Sequence, residues 1–261
     1  MNLRMPAAAA LAIATASVAA TAQRGQAPPA SPRAIAPKDF TGYWISVVTE
    51  DWRWRMVTPA KGDVDSVPLN AEGRRVANAW DPQRDERAGE ACRAYAAPAI
   101  MRVPGRLHIT WSDDATLRID TEAGTQTRLL RFTTAAAPAA VASGSAREPA
   151  WQGDSVARWE LGGRGAAIFG GPPAKPSGAL RVVTTHTRPG YLRKNGVPFG
   201  ANALLTEYFN VLGPEENGDV WLVVTTIVQD AQYLNGRFVT SSHFKKLPDG
   251  SGWHPVPCRA T

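Results

Sequence analysis

The segment Val220–Gln229 reads V-W-L-V-V-T-T-I-V-Q and is the longest β-branched run in the chain. Successive side chains of a β-strand point to opposite faces, so Trp221 and Ile227 share one face while Leu222 and Val228 share the other. Both faces are apolar, and such a strand needs cover on both sides. The segment therefore predicts the central strand of a β structure.

Shorter segments of strand character lie on both sides of this one. Four of them follow one another between Ile100 and Phe132, separated by turn residues at 104–105, 112–114 and 123–124, and others begin near residues 39, 155, 179, 203 and 238. Tight turns between about ten strands predict an all-β fold with an antiparallel meander. A closed, lipocalin-like β-barrel leaves no exposed sheet edges and is favoured, with a two-sheet sandwich as the alternative.

The apolar period changes to helical spacing between residues 70 and 96. Leu69, Gly73 and Trp80 fall on one face of a helix that Asn70 is placed to cap. A second helix is predicted from Asp81 to about residue 96. We expect two short helices inserted into the barrel near residues 70–96.

The N-terminus has the pattern of an export signal. Arg4 precedes an alanine-rich apolar run over residues 7–20, and Ala20-Thr21-Ala22 forms a small-x-small cleavage site. We predict a signal peptide at 1–22, a flexible leader at 23–37 and one domain at 38–261, in a periplasmic or secreted bacterial protein with no membrane span after cleavage. An uncleaved anchor is the alternative.

Only two cysteines, Cys92 and Cys258, are present in the chain. In an oxidising compartment each has only the other as a partner, so we predict a disulfide between them. A reactive thiol or a metal-binding pair is the alternative, but neither cysteine belongs to a C-x-x-C motif or adjoins a histidine.

Charge and motifs exclude several classes of function. The formal net charge of +6 comes from scattered residues, whereas nucleic-acid binding needs a basic stripe. The glycine-rich parts lack the nucleotide-binding patterns, and no two of the four histidines are spaced two or four residues apart. We therefore predict no nucleic acid, no cofactor and no metal site.

Five short patterns in the C-terminal half resemble those of a group of bacterial secreted proteins. They are S-x-A-x-W-E at 155–160, L-x-V-V-T-T at 180–185, N-G-V-P at 195–198, L-T-E at 205–207 and V-x-D at 228–230. The chain departs from that group by an insertion at 162–178 and by Tyr208, where the relatives often carry Arg. The resemblance implies a calycin-like or lipocalin-like barrel and carries over no catalytic residues.

Aromatic and basic residues are the candidates for ligand binding. The stretch W-R-W-R-M-V at 52–57 predicts a half-buried strand, with Trp52 and Trp54 on one face and Arg53 and Arg55 on the other. An ordinary strand with its arginines in water is the alternative. The turn-rich loop at 188–200 carries Tyr191, Arg193, Lys194 and Phe199, and loops of this kind often bind ligands. Tyr191, Arg193 and Trp221 complete the predicted ligand-binding set.

Two functions follow from these candidates. The first is an exported barrel that binds a small hydrophobic molecule, with tryptophans lining the cavity and arginines or Tyr191 at its mouth. The second is a periplasmic enzyme acting on a small apolar substrate, with His108 and Glu207 as acid and base inside the barrel, near an arginine such as Arg55. Glu207 shares a face with Leu205 and Phe209, where a carboxylate needs a partner.

Overall fold

Nine strands close into a barrel in the computed structural model, which describes residues 30–133, 148–161 and 178–261. The barrel strands are β1 (Gly42–Val47), β2 (Arg106–Asp113), β3 (Thr116–Thr121), β5 (Gln126–Phe132), β6 (Asp154–Leu161), β7 (Gly178–Thr185), β10 (Leu204–Leu212), β11 (Trp221–Gln229) and β12 (Phe238–Lys246). They are neighbours in this order, and β12 pairs with β1 to close the ring. The predicted all-β barrel is confirmed. The predicted signal peptide and residues 23–29 of the leader lie outside the described residues.

Two small sheets and five short helices complete the described structure. The remaining strands are β4 (Ala123–Gly124) with β13 (Val256–Pro257), and β8 (Gly190–Arg193) with β9 (Val197–Phe199). The helices are α1 (Trp52–Arg55), α2 (Ala71–Asn78), α3 (Pro82–Arg87), a 3₁₀ helix (Ala91–Tyr95) and α4 (Ala97–Ile100). Within the described ranges, no helix has the length and hydropathy needed to cross a membrane.

One pair of barrel strands departs from the predicted meander. Strands β5 and β6 run parallel, with Leu130 opposite Ser155, whereas the other neighbouring barrel strands are antiparallel. A parallel pair needs a crossover connection instead of a hairpin. Side-chain alternation does not predict this pairing, because it is the same in a parallel and an antiparallel strand.

The central strand β11 is covered fully on one side only. Leu222, Val224 and Val228 are buried in the lumen, whereas Trp221 and Ile227 lie on the outer surface and are half-buried. The expectation of cover on both sides was therefore wrong for the outer face. Residues on the outer face of a closed barrel are fully buried only where another element packs against that face.

The first predicted helix is confirmed, and the second is interrupted. Asn70 caps α2 by accepting a hydrogen bond from the Gly73 amide at 2.8 Å. The predicted helix at 81–96 divides into α3 and the 3₁₀ helix, and Gly89 between them has φ +69°. That left-handed conformation cannot continue an α-helix.

The stretch at 52–57 forms the helical turn α1 instead of the predicted strand. Asp51 precedes it with φ 54°, and Trp54 Nε1 donates to Asp63 at 3.0 Å. Arg55 Nε donates to the carbonyl of Arg102 at 2.8 Å. Trp54 and Arg55 thus bond to residues outside the stretch, and these tertiary contacts outweigh the strand preference that the alternation of residues 52–57 indicates. The strand predicted to begin at Ile100 is likewise wrong, since α4 ends there.

The lumen is filled by large side chains. Among the fully buried residues are Trp44, Ile119, Leu130, Phe209 and Phe244, which form one hydrophobic cluster. A second cluster packs the β8–β9 hairpin and the helical insertion onto strand residues; its members include Leu69, Ala77, Leu192, Val197, Phe199, Leu205, Val228 and Phe238. The helical insertion and the hairpin therefore pack together against the barrel strands.

The predicted disulfide is confirmed. Cys92 in the 3₁₀ helix is bonded to Cys258, which follows β13. Beside this bond, Val256 pairs with Ala123 in the small parallel sheet of β4 and β13. The C-terminal tail is thereby fastened to the helical insertion.

Candidate ligand-binding site

A cavity with a volume of about 270 Å³ lies where helices α2 and α3 meet the β8–β9 hairpin. Four aromatic rings line it, and we call it the aromatic cleft; the rings belong to Trp80, Tyr191, Phe199 and Tyr233. Three guanidinium groups, those of Arg75, Arg84 and Arg93, also lie on its walls. An apolar cavity with a few charged groups is the usual form of a small-molecule site.

Glycines let the hairpin approach the rings of the aromatic cleft. Gly196 has φ +82°, and a Cβ there would lie 2.3 Å from Cγ of Trp80. A Cβ at Gly190 would lie 2.5 Å from the carbonyl oxygen of Arg93. Only glycine fits at these two positions, because any side chain would push the hairpin away from the indole and the 3₁₀ helix.

A buried network fixes Tyr191 at the cleft. Its hydroxyl donates to Asp85 Oδ2 at 2.7 Å, and Arg93 Nη1 donates to Asp85 Oδ1 at 3.1 Å. The Arg93 guanidinium also stacks over the Tyr191 ring, 4.7 Å from its centroid. Burial and the hydrogen bond to Asp85 raise the pKa of Tyr191. The tyrosine therefore stays a neutral donor, and its ring is held as a wall of the cleft.

The charges at the cleft are unevenly compensated. Arg75 forms two hydrogen bonds with Glu72, at 2.7 and 2.6 Å, and Arg93 is paired with Asp85. Arg84 forms no ion pair with any side chain in the described ranges. Aromatic walls with an uncompensated guanidinium can bind a planar aromatic molecule that carries a negative charge.

A second, much smaller cavity of about 30 Å³ brings together three of the predicted ligand-binding residues. Trp54, Arg55 and Arg193 line it with Arg102 and Lys194, and we call it the arginine pocket. A β-bulge separates Tyr191 from Arg193 in the hairpin. Residues two apart on a regular strand share a face, but the bulge breaks this period, so Tyr191 lines the aromatic cleft and Arg193 lines the arginine pocket.

Known proteins provide no template for either cavity. Comparisons with protein-family models, curated proteins and solved structures return no match to this chain. The resemblance to the bacterial secreted group stays a prediction. Function is therefore inferred from the geometry of the two cavities.

Three predicted ligand-binding residues line neither cavity. Trp52 is 66% exposed, and Arg53 is an exposed residue whose guanidinium donates to Asp63 at 2.8 Å. Trp221 lies on the outer face of β11. The structure thus separates Trp52 from Trp54, because α1 is a helical turn and not the strand that would have aligned them.

The predicted acid and base are not brought together. His108 stacks on Tyr43 on the outer face of the barrel, with ring centroids 4.1 Å apart and planes 3° apart. Glu207 lies in the lumen, where its carboxylate accepts two hydrogen bonds from Arg128. The barrel wall therefore lies between His108 and Glu207, while Arg55 lies in the arginine pocket.

Several cleft residues were missed by the sequence analysis. The sequence places Trp80 on a helix face, and no local motif marks Arg93 or Tyr233 as a binding residue. Tyr233 lies more than 100 residues from Trp80 and Arg93, so no local spacing connects the three. Phe199 and Tyr191 carry a local signal, because both lie in the turn-rich loop at 188–200.

Proposed function

We propose that this protein is an exported barrel that binds a small aromatic molecule with a negative charge in the aromatic cleft. The observation that carries this proposal is the lining of one cavity of about 270 Å³ by four aromatic rings and three guanidinium groups. Aromatic rings bind a planar ligand by stacking and apolar contact. A guanidinium group binds a carboxylate or sulfonate through paired hydrogen bonds.

The placement of the ligand at the cleft is supported by the packing of the lumen. Trp44, Phe209 and Phe244 are fully buried inside the barrel and belong to one hydrophobic cluster. In a lipocalin-like protein the lumen itself holds the ligand. We place the ligand instead where the helical insertion and the hairpin meet, with the barrel as a rigid frame.

Export is supported by two features. The N-terminal residues have the pattern of a signal peptide, and Cys92 and Cys258 form a disulfide. Disulfides persist in oxidising compartments such as the periplasm. An exported binding protein of this kind would meet its ligand outside the cytoplasm.

The test is calorimetric titration of the purified protein with benzoate and with its neutral analogue benzamide. Saturable binding of benzoate that is at least several times tighter than that of benzamide is expected, because the guanidinium groups favour the charged ligand. Arg84→Gln removes the uncompensated charge and should weaken benzoate binding by about three- to tenfold without changing benzamide binding.

Arg118→Gln is the matched control. Arg118 is also an exposed arginine, but it lies on β3 and pairs with Asp120 away from the cleft. This variant should bind benzoate as the wild type does. Equal affinity for benzoate and benzamide, or an equal loss in both variants, would contradict the proposal. Native mass spectrometry before and after denaturation would then identify any molecule that the protein retains.

A further inference from the structure

The arginine pocket collects three buried guanidinium groups within one small cavity. Arg55, Arg102 and Arg193 are each at most 7% exposed and all line the pocket. They come from α1, from the turn after α4 and from β8. Lys194 and the Trp54 ring also line it, and the rest of the wall is apolar; it includes Val57, Val103 and Leu192. Buried arginines of this density need compensating negative charge.

Two of the three arginines have a carboxylate partner. Arg55 Nη1 forms a short ion pair with Glu50, and Arg102 Nη1 donates to Asp51 Oδ2 at 2.8 Å. Each nevertheless has an Nη2 atom that is buried and forms no hydrogen bond with the described residues. Two donors at the pocket are therefore unsatisfied.

Arg193 has no carboxylate within hydrogen-bond distance in the described part of the chain. Its Nη2 donates to the Ser66 hydroxyl at 2.8 Å, and its guanidinium stacks over Trp54, 4.6 Å from the ring centroid. Its Nε and Nη1 are buried and form no hydrogen bond with any residue that the structure describes. Together with the Nη2 atoms of Arg55 and Arg102, four nitrogen donors of these three arginines lack an acceptor among the described residues.

The electrostatic surroundings agree with an excess of positive charge. Burial and the nearby charge of Arg102 lower the pKa of Arg193 to about 10, although Asp51, Asp63 and Asp65 act in the opposite direction. A bound water would satisfy some donors but would add no negative charge beside Arg193. An anion would satisfy the donors and balance the charge together.

The size of the cavity restricts the anion. At about 30 Å³ this cavity is far smaller than the aromatic cleft, and it leaves room for a small ion but not for an aromatic ligand. We propose that the arginine pocket binds a single halide ion, with chloride as the physiological representative. The ion is held by the unpartnered guanidinium donors of Arg55, Arg102 and Arg193.

This proposal is tested by thermal unfolding in sodium chloride and in sodium gluconate at equal ionic strength. Gluconate is too large to enter the pocket. Saturating chloride should raise the melting temperature by roughly 5 °C relative to gluconate, because a ligand that binds only the folded state stabilises it. Arg193→Gln should lose most of this difference, while Arg118→Gln should keep it.

A second measurement applies even where Arg193→Gln does not fold. Crystals of the wild type grown in sodium bromide should give an anomalous scattering peak among the three guanidinium groups. Equal melting temperatures in the two salts, or no bromide in the pocket, would overturn the proposal. Benzoate binding in the aromatic cleft should persist in Arg193→Gln, so failure of either proposal is distinguishable from failure of the other.

Discussion

Arg128 and Glu207 meet inside the barrel lumen, with Arg128 Nη1 2.9 Å from Glu207 Oε1 and Nη2 2.5 Å from Oε2. Both side chains are completely buried. Thr184 lies 3.4 Å from the same Nη2 and forms a 2.8 Å hydrogen bond with Ser155. The enzyme alternative uses the Glu207 carboxylate in acid–base catalysis, but in the structure this carboxylate forms a buried ion pair with Arg128.

Removing one partner of this pair should strongly destabilise the fold. Glu207→Gln leaves the Arg128 charge buried without its carboxylate, and we expect a loss of about 3 to 5 kcal/mol in the free energy of unfolding. Urea denaturation measures it. Glu160→Gln, which removes a half-exposed carboxylate paired with Arg158, should cost less than about 1 kcal/mol.

The double variant Arg128→Met with Glu207→Leu distinguishes the contribution of the ion pair from that of side-chain packing. It removes both charges and keeps apolar volume, so it should be more stable than Glu207→Gln alone. A double variant that is less stable than the single one would show that the ion pair contributes more than its own desolvation costs.

Two glycines with nearly identical φ angles provide a matched pair, one beside the aromatic cleft and one away from it. Gly196 has φ +82° and Gly218 has φ +81°. A Cβ at Gly196 would lie 2.3 Å from Trp80, whereas a Cβ at Gly218 would have no heavy atom of the described residues within 4 Å, apart from its chain neighbours. Gly218→Ala should cost about 1 to 2 kcal/mol for the left-handed backbone alone. Gly196→Ala should cost clearly more and should weaken benzoate binding, measured by denaturation and calorimetry. Equal losses would mean that Trp80 moves aside freely.

The disulfide should contribute a large share of the stability. It joins residues 166 positions apart, and the entropy of closing such a loop corresponds to about 4 to 5 kcal/mol. Replacing Cys92 and Cys258 by alanine should lower the free energy of unfolding by roughly 2 to 5 kcal/mol. Wild-type protein denatured with a reductant is the control and should match the variant. A variant as stable as the oxidised wild type would contradict this expectation.

The stability contributed by Glu50 should depend on pH. Partial burial acts to raise its pKa, but hydrogen bonds from Thr49 and its own amide, with the charges of Arg55 and His243, lower the pKa below its ordinary value of 4.5. A carboxyl with a lowered folded-state pKa stabilises the fold above the unfolded pKa, and the effect is lost as pH falls through the folded pKa.

The measurement compares Glu50→Gln with the wild type by urea denaturation across acid and neutral pH. The stability difference should be greatest at neutral pH and should shrink below about pH 4.5. Glu216→Gln, on an exposed turn, is the control and should show no such change. A difference that is constant with pH would contradict the role of the Glu50 carboxylate.

The buried ion pair could have been found in the sequence, but only by comparing distant segments. Glu207 was recognised as a carboxylate on an apolar face that needs a partner. Arg128 lies two residues before Leu130 and therefore shares its face, so it is likewise a charged residue on an apolar face. Two opposite charges that each contradict the pattern of their own strand indicate one buried pair.

The helical turn at 52–55 marks the limit of local patterns. Four residues are too few to distinguish a strand from a helix by their pattern. The conformation of α1 depends on distant partners: Trp54 bonds Asp63, nine residues on, and Arg55 bonds the carbonyl of Arg102, 47 residues on. The arginine pocket depends on this turn, since a strand would place Arg53 and Arg55 on one face together.

The sequence by itself determined the strands of the barrel, the Asn70 cap and the disulfide. Alternation and capping are properties of neighbouring residues, and two cysteines have one possible pairing. Only the tertiary structure decided the parallel pairing of β5 with β6, the interior side of each strand and the membership of both cavities. These depend on contacts between residues far apart in the chain, and strand periodicity is the same whichever neighbour a strand finally pairs with.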